Sequence, residues 1–142
     1  MKKWLLYLAV PLALSACQSG PSAEEQQAAL ETEVMALHDA AMANMGKIYR
    51  LRRDLTSLRD TLTAQPPDTN ALELLSQRIK QLNEADEAMM DWMRRYKAPD
   101  SLAHQEAMLY LQEEHAKMAR VKALMDSTIT NARETYVHYK MQ

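Results

Sequence analysis

The sequence of 142 residues has two glycines, one cysteine and no phenylalanine. So few glycines cannot supply the turns of a β-sandwich, a barrel or a nucleotide-binding sheet, and those folds are excluded. One cysteine cannot form an internal disulfide or a thiolate zinc cluster. The length leaves room for a single ordinary domain. The sequence does have eleven methionines and long stretches rich in helix-forming residues.

The first residues have the pattern of an export signal. Lys2 and Lys3 provide a positive start, and residues 4–14 form an apolar run. That run is too short to remain in a bilayer as a transmembrane helix, which is typical of a signal peptide. The next four residues, Leu14-Ser15-Ala16-Cys17, resemble the lipobox of bacterial lipoproteins.

The lipobox resemblance implies a lipid anchor. It predicts that residues 1–16 are removed as a signal peptide and that Cys17 carries acyl chains, palmitate among them, on its sulfur and new amino group. Two or more chains hold a protein stably at a membrane. Residues 17–22 then form a lipidated tether, and we expect the protein in the cell envelope, at the outer membrane, on either its periplasmic or its outer face. The alternative is an ordinary cleaved signal that leaves a free cysteine.

Prolines and capping residues divide the rest of the chain into three helices. Ser22 and Glu25 have the spacing of a capping box. Two loops follow, one at residues 66–69 with Asp68 or the next residue as an N-cap, and one at residues 98–101 with a further capping candidate. We expect helices over residues of about 23–64, 70–97 and 102–140.

Apolar residues recur in steps of three and four along all three segments, which is the pattern of a coiled-coil seam. Short loops make consecutive helices antiparallel. The predicted fold is therefore all-α, an antiparallel up-down-up three-helix bundle over residues 23–142. One of the two predicted seam rows is Leu72, Ile79, Asp86 and Met93 in the second helix, and Met108, His115, Ile129 and Tyr136 in the third.

If each loop is centred on its prolines, which we call the proline-centred register, three polar residues lie at the same level along the bundle. They are Asn44, Asp86 and Gln112, one on each helix. Buried together they can satisfy one another's hydrogen bonds, so we expect a buried polar layer that sets the register, with ligand binding as its alternative role. Gly46 lies about one turn away, and a close helix approach would offset the roughly 1 kcal/mol that a helical glycine costs.

Methionine and histidine occupy neighbouring levels of the same register. Every histidine is followed by a methionine three or four residues later, which places both side chains on one helix face. Thioether and imidazole ligands suit a soft ion such as Cu(I), and the candidate ligands are His38, Met42, Met93, His104 and Met108. The competing interpretation is core packing without a cofactor, because methionine fills a core that has no phenylalanine.

No sequence motif indicates catalysis. Glu-x-x-His, His-Glu-x-x-His, a phosphate loop and a nucleophile elbow are all missing from the sequence. Without Lys2 and Lys3 the chain has 15 basic and 19 acidic residues, a formal net charge of −4. This charge does not favour nucleic acid as a partner. We therefore expect a protein that is not an enzyme.

The proline-centred register leaves residues 130–142 beyond the first loop. This segment carries Tyr136 and Tyr139. Because a single helix cannot bury such a stripe and tyrosine is common in interfaces, we expect a partner-binding tip there. Folding of the segment back onto the bundle, or self-association through it, would bury the same side chains.

Two stretches resemble signatures of small helical lipoproteins of Bacteroidota. Residues 38–48 match the pattern His-Asp-x-x-Met-x-x-Met-Gly-x-Ile, and residues 89–93 match Met-Met-x-Trp-Met. Ala43 stands where many relatives have proline. The resemblance covers most of the mature chain and implies a cell-envelope protein of unassigned activity, with no catalytic residues to carry over.

The sequence as a whole favours a lipid-anchored, all-helical envelope protein that acts as a non-catalytic binding, scaffold or spacer module. Its partner would be an envelope protein or a second copy of the chain, in addition to the membrane that holds its lipid. The alternative is a lipoprotein that binds copper, or less readily haem, through the methionine and histidine set.

Overall fold

The computed structural model describes residues 20–64 and 68–141 as three helices. They are α1 (Ala23–Thr63), α2 (Thr69–Arg95) and α3 (His104–Lys140), and no strand is found in these residues. Each helix packs on the other two, with α3 mainly against α1. The all-α, up-down-up three-helix bundle is confirmed, and every predicted helix end lies within two residues of the observed one. The predicted signal peptide (1–16) and Cys17 lie outside the described residues.

Side chains cap the first two helices as predicted. The Ser22 hydroxyl accepts a hydrogen bond from the backbone N–H of Glu25 (3.2 Å), and the Glu25 carboxylate accepts one from the N–H of Ser22 (2.7 Å). Asp68 accepts from the first N–H groups of α2. The predicted cap of α3 was wrong, because the chain turns at residues 99–102, the N-cap is Ala103, and no side chain caps that helix.

Heptad packing forms the core. In α1, α2 and α3 alike, fully buried side chains recur at steps of seven residues, as expected for knobs packed into holes between helices. These residues are Val34, Ala41, Ile48 and Leu55 in α1, Leu75, Leu82 and Met89 in α2, and Leu111, Met118, Met125 and Ala132 in α3.

The second seam row lies one residue earlier than predicted in both α2 and α3. The structure buries Ala71, Ala85 and Trp92 in α2, and Ala107, Glu114, Thr128 and Thr135 in α3. Several of these side chains are small, which lets neighbouring helices approach each other. Most of the larger apolar residues that were predicted for this row lie beside it and remain partly accessible to solvent. Gly46 also differs from the prediction. It is exposed, and the only atom that a Cβ there would meet is Nη1 of Arg50, at 3.4 Å, so no neighbouring helix approaches it closely.

The helices are also shifted along one another relative to the proline-centred register. Trp92 contacts Glu114, whereas that register would pair it with a residue about two helical turns earlier in α3. The reason is the second loop, which runs on from Tyr96 to Ala103 before α3 starts, so that Tyr96 lies level with Tyr110 rather than with the first turn of α3. The parallel helices α1 and α3 pair at a separation of 82 residues, as in the contact between Asn44 and Asp126.

Candidate functional site

The predicted polar layer of Asn44, Asp86 and Gln112 does not form. Asn44 is buried, with 7% of its surface exposed, but Gln112 is exposed and Asp86 is only half-buried. Asp86 accepts a hydrogen bond from Arg52 at 3.2 Å. The one-residue shift of the seam row removes Asp86 from the core, and the axial shift of α3 carries Gln112 away from that level.

Asn44 instead joins α1 to α3. Its amide nitrogen donates to the Asp126 carboxylate at 2.7 Å, and its amide oxygen accepts from Lys47 at 2.8 Å. The second oxygen of Asp126 accepts from Lys122, also at 2.7 Å. The network thus holds two lysines and one carboxylate, so it keeps a positive charge while the polar atoms of Asn44 are satisfied.

A second buried contact joins α2 to α3 through Glu114. The Trp92 indole N–H donates to one carboxylate oxygen at 2.9 Å, and Lys117 donates to the other at 2.7 Å. The hydrogen bond to Glu114 raises the pKa of the Lys117 ammonium. Glu114 was not among the residues singled out from the sequence, although it is buried. Its heptad position, seven residues after Ala107 and seven before Val121, was the available signal.

Four rings pack in a row near the end of α2, and three of them are stacked. Trp92 lies between His38 and Tyr96, with ring centroids 5.6 and 4.8 Å away, and Tyr110 stacks on Tyr96 at 6.2 Å. The Tyr96 hydroxyl donates to Glu31 at 3.1 Å. Burial, and then the nearby negative charge of Glu31, raise the pKa of the Tyr96 hydroxyl. This row of rings connects all three helices, and His38 and Trp92 are part of its packing.

The methionine and histidine residues proposed as copper ligands do not lie at one place. His38 and Met42 are half-buried in α1, and Met93 is 40% exposed on α2. By the 82-residue pairing, His104 lies level with the start of α1, about 24 Å along the axis from His38, and Met108 lies one turn from His104. The described residues also contain no group of three or more histidine, cysteine, aspartate or glutamate side chains suited to a metal ion. The predicted ligand set is therefore not one site, since the register on which it depended is shifted.

The segment predicted as a partner-binding tip does not project beyond the bundle. Tyr136 and Tyr139 are half-buried and pack against the core, and Thr135 between the helices is buried. The same pairing places Lys140 level with residue 58, inside the length of α1. The end of α3 lies alongside the bundle, which was the alternative noted for this segment.

The observed register separates charge along the bundle. We define the acidic half as residues 20–46 and 83–128, which hold 14 acidic and 6 basic residues, a formal net charge of −8. The basic half, residues 47–64, 68–82 and 129–141, holds 5 acidic and 9 basic residues, a net charge of +4. Residue 20, where the described chain begins, lies in the acidic half. The modest total charge of the sequence conceals this separation.

The grooves of the basic half include one on each side of α1. The α1–α2 groove is an open trough of about 790 Å³ that contains Tyr49, Arg52, Arg53 and several hydroxyl side chains. The α1–α3 groove is smaller, about 330 Å³. The residues that line the α1–α3 groove are Lys47, Arg50, Leu51, Asp54, Ile129, Arg133, Tyr136 and Val137. Cationic and apolar side chains thus meet in one concave surface that can bind an anion.

Comparisons with known proteins gave no match to any protein-family model, to any curated protein or to any solved structure. Within the residues that the structure describes, none of the helices combines the length and the apolar character needed to cross a membrane.

Proposed function

We propose that this protein is a lipid-anchored rod of the cell envelope that presents a basic surface, at a distance from its anchor, to an anionic partner. It acts as a non-catalytic binding and spacing module. The single observation that carries the proposal is the separation of charge between the acidic half, which follows the tether, and the basic half at the other end of the bundle.

The dimensions of the rod give this separation a physical role. α1 has 41 residues and is therefore about 60 Å long. Charges in solution are screened over about 8 Å at physiological ionic strength. A basic half more than three screening lengths from the bilayer is therefore not attracted to the charge of the bilayer surface. The acidic half is repelled by anionic lipid headgroups. A rod anchored at residue 17 would thus stand away from the membrane with its basic half free for another partner.

The lipobox and the resemblance to helical Bacteroidota lipoproteins support a place in the cell envelope, at the outer membrane. Labelling with palmitate tests the anchor. The wild-type protein should incorporate the label and fractionate with membranes, whereas Cys17→Ser should incorporate none. A Cys17→Ser protein that is labelled as strongly as the wild type would refute lipidation at this residue.

Binding of the chain from residue 18 onward to isolated envelopes tests the basic half. Two triple variants, with three cations each replaced by glutamine, remove the same charge from opposite ends of the bundle. They are Arg52, Arg53 and Arg59 in the basic half, and Arg94, Arg95 and Lys97 in the acidic half.

We expect wild-type binding to weaken as salt is added, because it depends on exposed charge. The variant in the basic half should bind about tenfold more weakly, and the variant in the acidic half should bind as the wild type does. Equal losses in both variants, or binding that salt does not affect, would contradict the proposal.

A further inference from the structure

We propose that the α1–α3 groove binds an anionic amphiphile, meaning a phosphate or carboxylate headgroup joined to an apolar chain. The inference rests on the proposed function and names the chemical class of one ligand of the basic half. The groove differs from the rest of that half because its cations surround an apolar floor.

The cations of the groove are not neutralised by carboxylates of the residues that the structure describes, so their charge is available to a ligand. Lys47 donates to the amide oxygen of Asn44 rather than to a carboxylate. In the described part of the chain, no carboxylate lies within ion-pair distance of Arg50 or Arg133, and Asp54 is already held by Arg53 at 2.9 Å. The lining therefore has three cations and one carboxylate that is neutralised by a fourth cation, which favours an anionic headgroup.

The apolar part of the groove comes from both helices. Leu51 and Ile129 pack against the core and form its floor, and Tyr136 stands beside them. Val137 is 45% exposed at the rim, and Lys140 lies over the Tyr136 ring, 5.2 Å from its centroid. A bare anion would leave these apolar surfaces in water, whereas an attached chain would cover them.

The size of the groove limits the ligand. A volume of about 330 Å³ is at the lower end of ordinary ligand sites. It accommodates a headgroup and the first carbons of a chain rather than a whole lipid. Because Lys47 and Ile129 are level with each other, as are Leu51 and Arg133, the groove runs parallel to the two helices. The chain of the ligand would therefore lie between α1 and α3.

Calorimetric titration with dodecyl phosphate, below its micelle concentration, tests the site. The chain from residue 18 onward is suitable because it keeps all three helices and the whole core. Arg50→Gln and Arg133→Gln should each weaken binding about tenfold, since each removes a charged hydrogen-bond donor. Lys80→Gln is the matched control, because Lys80 is also a cation of the basic half but pairs with Glu84 outside the groove. It should change binding by less than about twofold.

Two further probes separate the headgroup from the chain. Inorganic phosphate should bind at least about tenfold more weakly than dodecyl phosphate, because it covers no apolar surface. Dodecyltrimethylammonium should not bind in the groove. Equal affinity for phosphate and dodecyl phosphate, or for the cationic and anionic detergents, would overturn the proposal. So would equal affinity of the wild type and both groove variants for dodecyl phosphate.

The outcome for the groove is distinct from that for the proposed function. If Arg50→Gln and Arg133→Gln bind dodecyl phosphate normally while the triple variant of the basic half loses envelope binding, the amphiphile site is wrong and the basic rod stands. If the groove variants lose dodecyl phosphate but the triple variant still binds envelopes, the site stands and the envelope role of the basic half is wrong.

Discussion

Individual polar side chains determine how the three helices are joined. Asn44 connects α1 to α3 through Asp126, and Glu114 connects α2 to α3 through Trp92. No buried side-chain nitrogen or oxygen in the described residues is left without a hydrogen-bond partner. Such contacts are costly to break on one side only, because the remaining group stays buried and loses its partner.

Asn44→Ala should therefore destabilise the bundle. It removes a donor to Asp126 and an acceptor for Lys47, and we expect the free energy of unfolding to fall by about 1–3 kcal/mol. Gln112→Ala is the control, because Gln112 is exposed and should change stability by less than about 0.5 kcal/mol. Urea denaturation followed by circular dichroism measures both. A larger loss for Gln112→Ala than for Asn44→Ala would contradict the observed packing.

Tyr96 makes the free energy of unfolding depend on pH in the alkaline range. Its pKa is raised in the folded state by burial and by Glu31, whereas the ordinary value of 10.0 applies when the chain is unfolded. Above pH 10 the unfolded tyrosine loses its proton while the folded one keeps it, so this contribution to stability falls as pH rises. In Tyr96→Phe, unfolding free energies measured from pH 8 to pH 11 should fall less steeply than in the wild type. An unchanged dependence of the unfolding free energy on pH would show that Tyr96 titrates alike in the folded and unfolded states. Tyr49→Phe replaces an exposed tyrosine and serves as the control.

At the level of the helices, the local sequence was sufficient to predict the helix caps but not every row of buried residues. The capping box at Ser22 and the Asp68 cap depend only on neighbouring residues, and both were predicted correctly. In α1 the apolar residues that recur in steps of three and four are also the ones that face the core. In α2 and α3, large apolar residues flank a row that includes alanine and threonine, and hydrophobicity alone therefore selected the wrong row.

Gly46 tests the structure of α1. Because it is exposed and a Cβ there would meet only the mobile guanidinium of Arg50 at 3.4 Å, Gly46→Ala should raise the free energy of unfolding by about 0.5–1 kcal/mol. Thermal unfolding followed at 222 nm would detect the change. Gly20→Ala, which lies outside the helix, should have little effect. A destabilised Gly46→Ala variant would indicate a close neighbour that the structure does not place there.

At the level of the whole molecule, the important features depend on how distant segments are aligned. The charged residues of the basic half are visible in the sequence, but only the register of the helices shows which of them lie at the same end. Placing the loop centres at the prolines could not provide that register, because the long second loop shifts α3 by about two turns relative to α2. The copper site, the tip and the polar layer all depended on the same register, and the structure does not place their residues as that register predicted. Binding of copper or of a partner stays a prediction.

Cross-linking can measure the register of α1 and α3 directly. The Glu33 carboxylate (Oε2) and the His115 ring (Nε2) lie 3.9 Å apart. The proline-centred register would instead place residue 33 close to residue 101. The chain from residue 18 onward has no cysteine, so Glu33→Cys can be combined with either His115→Cys or Ser101→Cys and treated with a short bismaleimide. The observed register predicts an internal cross-link for the pair 33 and 115 and little for 33 and 101. Efficient linking of 33 to 101 instead would contradict the alignment of the helices, and with it the basic half and its groove.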